Sequence, residues 1–388
     1  MRREYQYIVL GLGGLGSAAA YWLARRVGQD VLGLEQFELG HVRGESEDHS
    51  RIIRLSYHTP GYVALAKRAY ESWRLVEAEA AASLIDTTGG LDLAPPNGAI
   101  PLAPYRDSLD AAGVPYQWLS AGEIMDRWPQ FRLGDDVQGL FQEHGGLLKA
   151  SLANAAHRRL AREHGATLIE AAPVTAIRTR GEEIDVATAD ATYRCRRLII
   201  AAGPWSNQAL RHLGLELPLQ VTREQVTYYA AADLDRFRPN RFPVWIWMDD
   251  PCYYGLPVFG EPGVKVGQDV GGKVTTADGR DFEPDPEYSA RVEVFLRQYL
   301  PSALGPARLV RTCLYTLTPD RDFVIDAVPG APNVQVAIGA GHAFKFASVI
   351  GRILAELAID RVTPSDLAPF RIDRPILRST NPPVSYLV

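Results

Sequence analysis

Cys313 lies in the stretch Arg311–Asp326, RTCLYTLTPDRDFVID, and is one of three cysteines in 388 residues. The alternation around it reads as a strand, and Tyr315 follows two residues later on the same face. A thiol is a nucleophile once deprotonated, although a free cysteine more often serves as a small buried hydrophobe. Two other stretches place cations three residues apart. RIIR carries Arg51 and Arg54 around two isoleucines. That predicts a largely buried segment, in which charge needs a partner. GAGHAFKF carries His342 and Lys345, which can share one face. It falls between an expected strand and an expected helix, so a helix N-terminus there can face the electron-rich edge of a ligand.

The N-terminal chemistry is of another kind. Tyr5 to Leu10 reads as a buried strand, GLGGLG from Gly11 to Gly16 matches G-x-G-x-x-G, and SAAAYWLARR continues as a helix. Val31 to Leu34 is a second apolar run and ends in Glu35, 19 residues after Gly16. Gly11 permits the tight turn, Gly13 lets backbone approach a pyrophosphate, Gly14 extends the same small surface, and Gly16 lets helix and strand pack closely. Glu35 can accept hydrogen bonds from ribose hydroxyls. The strand, helix and acid together point to a dinucleotide. The acid disfavours the 2′-phosphate of NADP but leaves FAD and NAD open.

These residues need elements to hold them. A chain of this length suggests about two domains. Residues 61–80 have helical periodicity, and residues 86–141 are turn-rich, an excursion from the first domain. Gly146 to Gly165 predicts one long helix capped by Gly165. The runs TLIEA, PVTAIRTR, EIDVATA and TYRCRRLIIAAG read as strands. VTREQVTYYAA, RFPVWIWM, CYYGLPVFG and VKVGQD, between 216 and 270, are aromatic and β-branched. They predict an antiparallel sheet in a second domain. Pro286 to Leu300 reads as a helix, Val334 to Ile338 as a strand and Phe346 to Ile359 as a helix. The expected fold is α/β: a Rossmann-type FAD-binding domain from 1–85, 142–215 and 320–388, interleaved with a substrate domain from 86–141 and 216–319.

Composition excludes several classes. The net charge is −5 with no long basic run, which argues against a nucleic-acid surface. Cys195, Cys252 and Cys313 form no CxxC pair and no metal set, so neither zinc nor a disulfide framework is expected, and the compartment reads as reducing. The weakly charged run Tyr7 to Ala24 could pass for a signal peptide or a membrane span, but its glycines favour strand, turn and helix. The final SYLV is not a peroxisomal address of the SKL type. A cytoplasmic protein without a membrane anchor is the expectation.

Over nearly its whole length the chain resembles the flavin amine oxidoreductases of the monomeric sarcosine oxidase type, whose relatives act on N-methyltryptophan and pipecolate. The resemblance rests on GLGGLG with Glu35, SRIIR at 50–54, YYGLPVFGEPGVKVG at 253–267, TCLYTLTPDRDFVID at 312–326 and GHAFKF at 341–346. It implies FAD, joined through its 8α-methyl to the sulfur of Cys313. It implies Arg54 and Lys345 as a clamp on the substrate carboxylate, a task suited to a guanidinium fork and a point charge. Arg51 would lie beside the flavin ring, with Tyr254, Tyr315 and His342 on the substrate side. Lys265, flanked by valines, would activate oxygen by stabilising developing negative charge. Ser50, Val174, Gly203, Gly341 and Lys345 join the implied cofactor contacts.

Two departures bear on the substrate. Asp269 stands where sarcosine oxidases carry a histidine, and it could pair with a substrate ammonium or with Lys265. GESEDH precedes SRIIR, bringing Glu47, Asp48 and His49 near the expected ring. The resulting expectation is a monomer that oxidises a secondary amine of an amino acid, such as sarcosine, proline or pipecolate, and reduces O2 to H2O2. The rivals are an FAD-dependent dehydrogenase with another acceptor, a non-catalytic flavoprotein subunit, and a NAD-dependent dehydrogenase, which would have no use for Cys313.

Overall fold

In a computed structural model, residues 2–379 and 382 are described; the SYLV terminus lies outside them. Four apolar residues, Tyr7–Leu10, form the strand before the glycines. It pairs in parallel with Val31–Leu34 on one side and Arg197–Ile200 on the other. Among the described residues the sheet extends to six strands, in the order 324–328, 331–338, 197–200, 7–10, 31–34, 167–169. Every pairing is parallel except the first, Val324 to Val328 against Ala331 to Ile338.

The helices Gly14–Val27, Ala150–Glu163 and Ala347–Asp360 pack in one core on one face of this sheet. Small residues permit the approach. A Cβ on Gly351 would lie 2.5 Å from the backbone of Ala18. The opposite face packs against a three-stranded sheet, 174–180, 183–188 and 192–195. The membrane-span alternative for Tyr7 to Ala24 fails on this geometry. Among the described residues no helix is long and apolar enough to cross a membrane.

A nine-stranded sheet draws its strands from 90–142 and from 220–317. The turn-rich excursion therefore holds regular elements: strands at Gly90–Ala94, Gln117–Ser120 and Gln138–Gln142, with short helices between. The sheet is antiparallel except where Val244–Trp247 runs parallel to Gly90–Leu93. That junction joins the two sequence blocks, which no local pattern could foretell. Helix Pro286–Tyr299 covers the back of this sheet, with Phe295 stacked on Trp245 and Tyr253.

Two local expectations are corrected. The helix expected from Gly146 starts at Ala150, because Gly146–Leu148 pairs as a strand with Arg51–Ile53 and with Ile85–Thr87. A side chain at 146 would collide with the Asp86 carbonyl. TYRCRRLIIAAG divides into strands of different sheets, Thr192–Cys195 and Arg197–Ile200, with Arg196 as the corner.

Candidate active site

The glycine turn forms a cradle whose dimensions exclude side chains. Gly11 has φ +86°, and a Cβ there would lie 2.5 Å from the Ala201 carbonyl oxygen. A Cβ on Gly16 would lie 1.8 Å from the Gly11 oxygen. Glu35, at the end of the next strand, accepts from the amides of Leu12 (2.8 Å) and Phe37 (3.1 Å), and His41 stands 3.4 Å from it. Burial acts to raise the Glu35 carboxyl, but His41 and these amides outweigh it and hold the group below its ordinary range. Gly13, Gly14, Val174 and Gly203 line the same cavity.

This cavity and a second chamber share Gly14, Leu15, Glu45, Ser46 and Gly339 as walls, so together they make one elongated cleft. The front face of the nine-stranded sheet floors the chamber. Alternation places Cys252, Tyr254 and Leu256 on one face, opposite Asp269, Gly267 and Lys265 of the next strand. Ile246 is opposite Tyr254, and Asp92 is opposite Ile246. On the far side Cys313 is opposite Glu224 and Tyr315 opposite Thr222. Gly267 leaves room for the Tyr254 phenol, which would lie 2.9 Å from a Cβ there.

RIIR and GAGHAFKF close the chamber from above. Helix Pro60–Ala80, capped by Thr59, holds the second of these through Trp73, whose indole donates to the Lys345 carbonyl at 2.8 Å. His342 is buried and its Nε2 lies 2.8 Å from the Arg321 carbonyl oxygen. Burial and the nearby cations Lys345 and Arg321 keep His342 neutral. Gly341, at φ +80°, packs on the Tyr315 ring.

Buried carboxylates meet most of the chamber's cations. Asp48 accepts from Lys265 at 2.5 Å, from Arg51 at 3.0 Å and from Tyr228 at 2.8 Å. Lys265 also donates to the Ser50 carbonyl at 2.6 Å. Burial lowers Lys265 to about 8 against the pull of Asp48. Burial would raise the Asp48 carboxyl, but Lys265 and Arg51 reverse that and hold it well below its ordinary range. Arg54 donates to Asp92 at 2.8 Å, and Arg321 to Asp269 at 2.9 Å. The anticipated partnership of Asp269 with Lys265 is not formed: Asp269 stands two same-face rows further along the strand, past Gly267, and pairs with Arg321.

The comparisons with known proteins agree. The model of the FAD dependent oxidoreductase family matches residues 6–357. The chain is 32% identical over 383 residues to a monomeric sarcosine oxidase of Bacillus sp. (strain NS-129), covering 97% of this chain and 99% of that protein. It is 34% identical over 378 residues to N-methyl-L-tryptophan oxidase of Escherichia coli O9:H4 (strain HS), covering 96% and 99%. The solved structure of NikD, an unusual amino acid oxidase essential for nikkomycin biosynthesis, superposes with a TM-score of 0.84 at 27% identity, covering 100% and 99%. The chain belongs to the FAD-dependent oxidoreductase family, among proteins of the sarcosine oxidase type.

The residues present fit FAD. The cradle takes no side chain, so only a thin group such as a pyrophosphate can approach its amides. The cleft then continues into the chamber, as a dinucleotide with a ring system requires. Ser50, Arg51, Arg54, Tyr254, Lys265, Asp269, Tyr315, Gly341, His342 and Lys345 all line that chamber. Cys313 lies one strand beyond Glu224, its thiol pushed up to about 12 by burial, with Arg51 the main opposing influence. Cys252 lines the chamber directly.

Four functional neighbours escape sequence reasoning: Asp92, Arg321, Glu45 and Tyr57. Asp92 alternates with Leu91 and Leu93, both buried, and so reads as a solvent-facing strand position. Only the second layer above the sheet reveals that both faces are covered. Glu45, half-buried beside Arg51 and hydrogen bonded by Thr316, is raised by desolvation to about 7.

Proposed function

We propose that this flavoprotein oxidises the amine of an amino acid, a secondary amine of the N-methyl or cyclic imino kind, to the imine. The observation that carries the proposal is the convergence of two cations, buried Arg54 and half-buried Lys345, on the Tyr57 ring, in the chamber that adjoins the dinucleotide cradle. Those cations bind the substrate carboxylate and orient the C–H bond next to nitrogen. FAD, when bound, accepts the hydride equivalent and delivers two electrons to O2, giving H2O2. Ile246, Met248 and Leu256 bound the chamber with apolar surface and exclude water from the substrate. Neutral His342 and the un-ionised phenols of Tyr254 and Tyr315 add no competing charge. Cys313 is the residue for covalent attachment, supported by its place one residue pair from chamber-lining Tyr315. The protein acts as a monomer.

One observation favours a second reading, an amino acid dehydrogenase with another electron acceptor. Lys265, the cation suited to oxygen activation, shares its charge with Asp48 at 2.5 Å. The test is anaerobic mixing with sarcosine, proline, pipecolate and their decarboxylated counterparts, followed by reoxidation with O2 or a quinone. The proposal requires bleaching of the flavin by at least one carboxylated amine and not by its decarboxylated form. Reoxidation fast with quinone and slow with O2 selects the dehydrogenase, and no bleaching by any amine removes both readings.

A further inference from the structure

The chamber holds more buried charge than binding one amino acid needs, and its arrangement restricts what can bind. Asp92 has 3% of its surface exposed and projects from the front face of the large sheet beneath Arg54. One of its oxygens accepts from Arg54 at 2.8 Å, while the other, Oδ2, has no hydrogen-bond partner among the described residues. A buried, half-satisfied carboxylate is costly. A neutral residue at 92 would leave the buried Arg54 guanidinium without a counter-charge, so Asp92 fixes the net charge of this end of the chamber.

The consequence follows from counting. Asp48 serves Lys265 and Arg51, Asp269 serves Arg321, and Asp92 serves Arg54. Among the described residues no carboxylate lies within ion-pairing distance of Lys345. Arg54 and Lys345 both approach the same ring, at 5.0 and 5.9 Å from the Tyr57 centroid. With Asp92 ionised, this end of the chamber carries a net charge of one rather than two. Arg54 then contributes direction and Lys345 contributes charge.

We propose that the chamber accepts substrates with a single carboxylate and turns away dicarboxylates, and that Asp92 sets this limit. The inference rests on the amino acid reading above and names the substrate class within it. A second carboxylate would find Lys265, Arg51 and Arg321 already met by Asp48 and Asp269, and a buried charge without a free counter-charge is strongly disfavoured.

The experiment titrates the flavin-loaded protein with acetate and with malonate, reading the flavin absorbance change that ligand binding causes. Wild type is expected to bind acetate at least tenfold more tightly than malonate. Asp92→Asn keeps the shape and one acceptor for Arg54 but removes the charge, and should erase that preference. The neutral pair Arg54→Gln with Asp92→Asn should restore it, since the net charge returns to one. Equal affinities in wild type overturn the proposal without any variant having to fold. So does an acetate-to-malonate ratio that Asp92→Asn leaves unchanged. Lys345→Met separates the two levels: if acetate still binds it as tightly as wild type, the clamp reading fails instead.

Discussion

Two side chains carry assignments that single substitutions decide. Cys313 is raised by burial to about 12, so a thiolate there depends on Arg51, whose influence is the largest opposing one. Cys252 lines the chamber and is also raised by burial, with Asp269 adding to the rise and Arg54 and Arg321 opposing it. The expected outcome is that acid-precipitated wild type and Cys252→Ala retain yellow flavin in the pellet, whereas Cys313→Ala releases it to the supernatant. Release from wild type would end the covalent assignment. Lys345 yields a pH dependence. Burial, then Arg54, lowers its ammonium to about 7. The cationic form binds carboxylate, so affinity should be level below about pH 7. Above it, affinity for acetate should fall about tenfold per pH unit, as 1.36 kcal/mol per unit implies. Acetate has no amine to titrate, and Lys345→Arg, always charged, should flatten the profile. A slope that survives in that variant belongs to another group.

Helix Pro60–Ala80 is both a structural column and the support of the chamber's roof. Its N-cap and its interior make different predictions. Thr59 accepts from the Tyr62 amide, and Thr59→Ala should cost about 1 kcal/mol in urea unfolding. Trp73→Phe leaves the Lys345 carbonyl without its 2.8 Å donor and should cost about 1–3 kcal/mol. Only the second should also raise KM for a carboxylated substrate, because it alone loosens the turn that carries Lys345. Equal KM values in the two variants would show that the turn is held by its own packing, against Phe323 and Tyr57.

An early and a late segment of the chain meet where helix Ala347–Asp360 crosses helix Gly14–Val27, and the glycine cradle opens the latter. Gly351→Val would drive a side chain into Ala18, whose backbone is within 2.5 Å of a Cβ at 351. Overpacking of this kind should cost about 1–3 kcal/mol. Because the displaced helix carries Gly14 and Gly16, flavin content should fall with stability. A variant that is destabilised yet fully loaded with flavin would show that the cradle does not depend on this crossing.

Most of the chamber was legible in the amino-acid sequence because its chemistry lies in short motifs. The glycine turn, RIIR, VKV and GHAFKF each state a local requirement, for a thin backbone or for buried charge, and folding brings them into one cleft. Tyr254, Lys265 and Tyr315, singled out by the family resemblance, line the chamber from three strands of the large sheet, each in a different row. What the sequence could not disclose is which carboxylate meets which cation. Asp48 and Lys265 are separated by 217 positions, Arg54 and Asp92 by 38, and Asp269 and Arg321 by 52. An ion pair depends on distance and desolvation, which arise only when sheets and helices stack. The same holds for the strand at Gly146–Leu148, where helical composition yielded to partners on both edges. Residue type and spacing thus specified a dinucleotide cleft with buried cations, the family resemblance made that dinucleotide FAD, and packing alone distributed the charge.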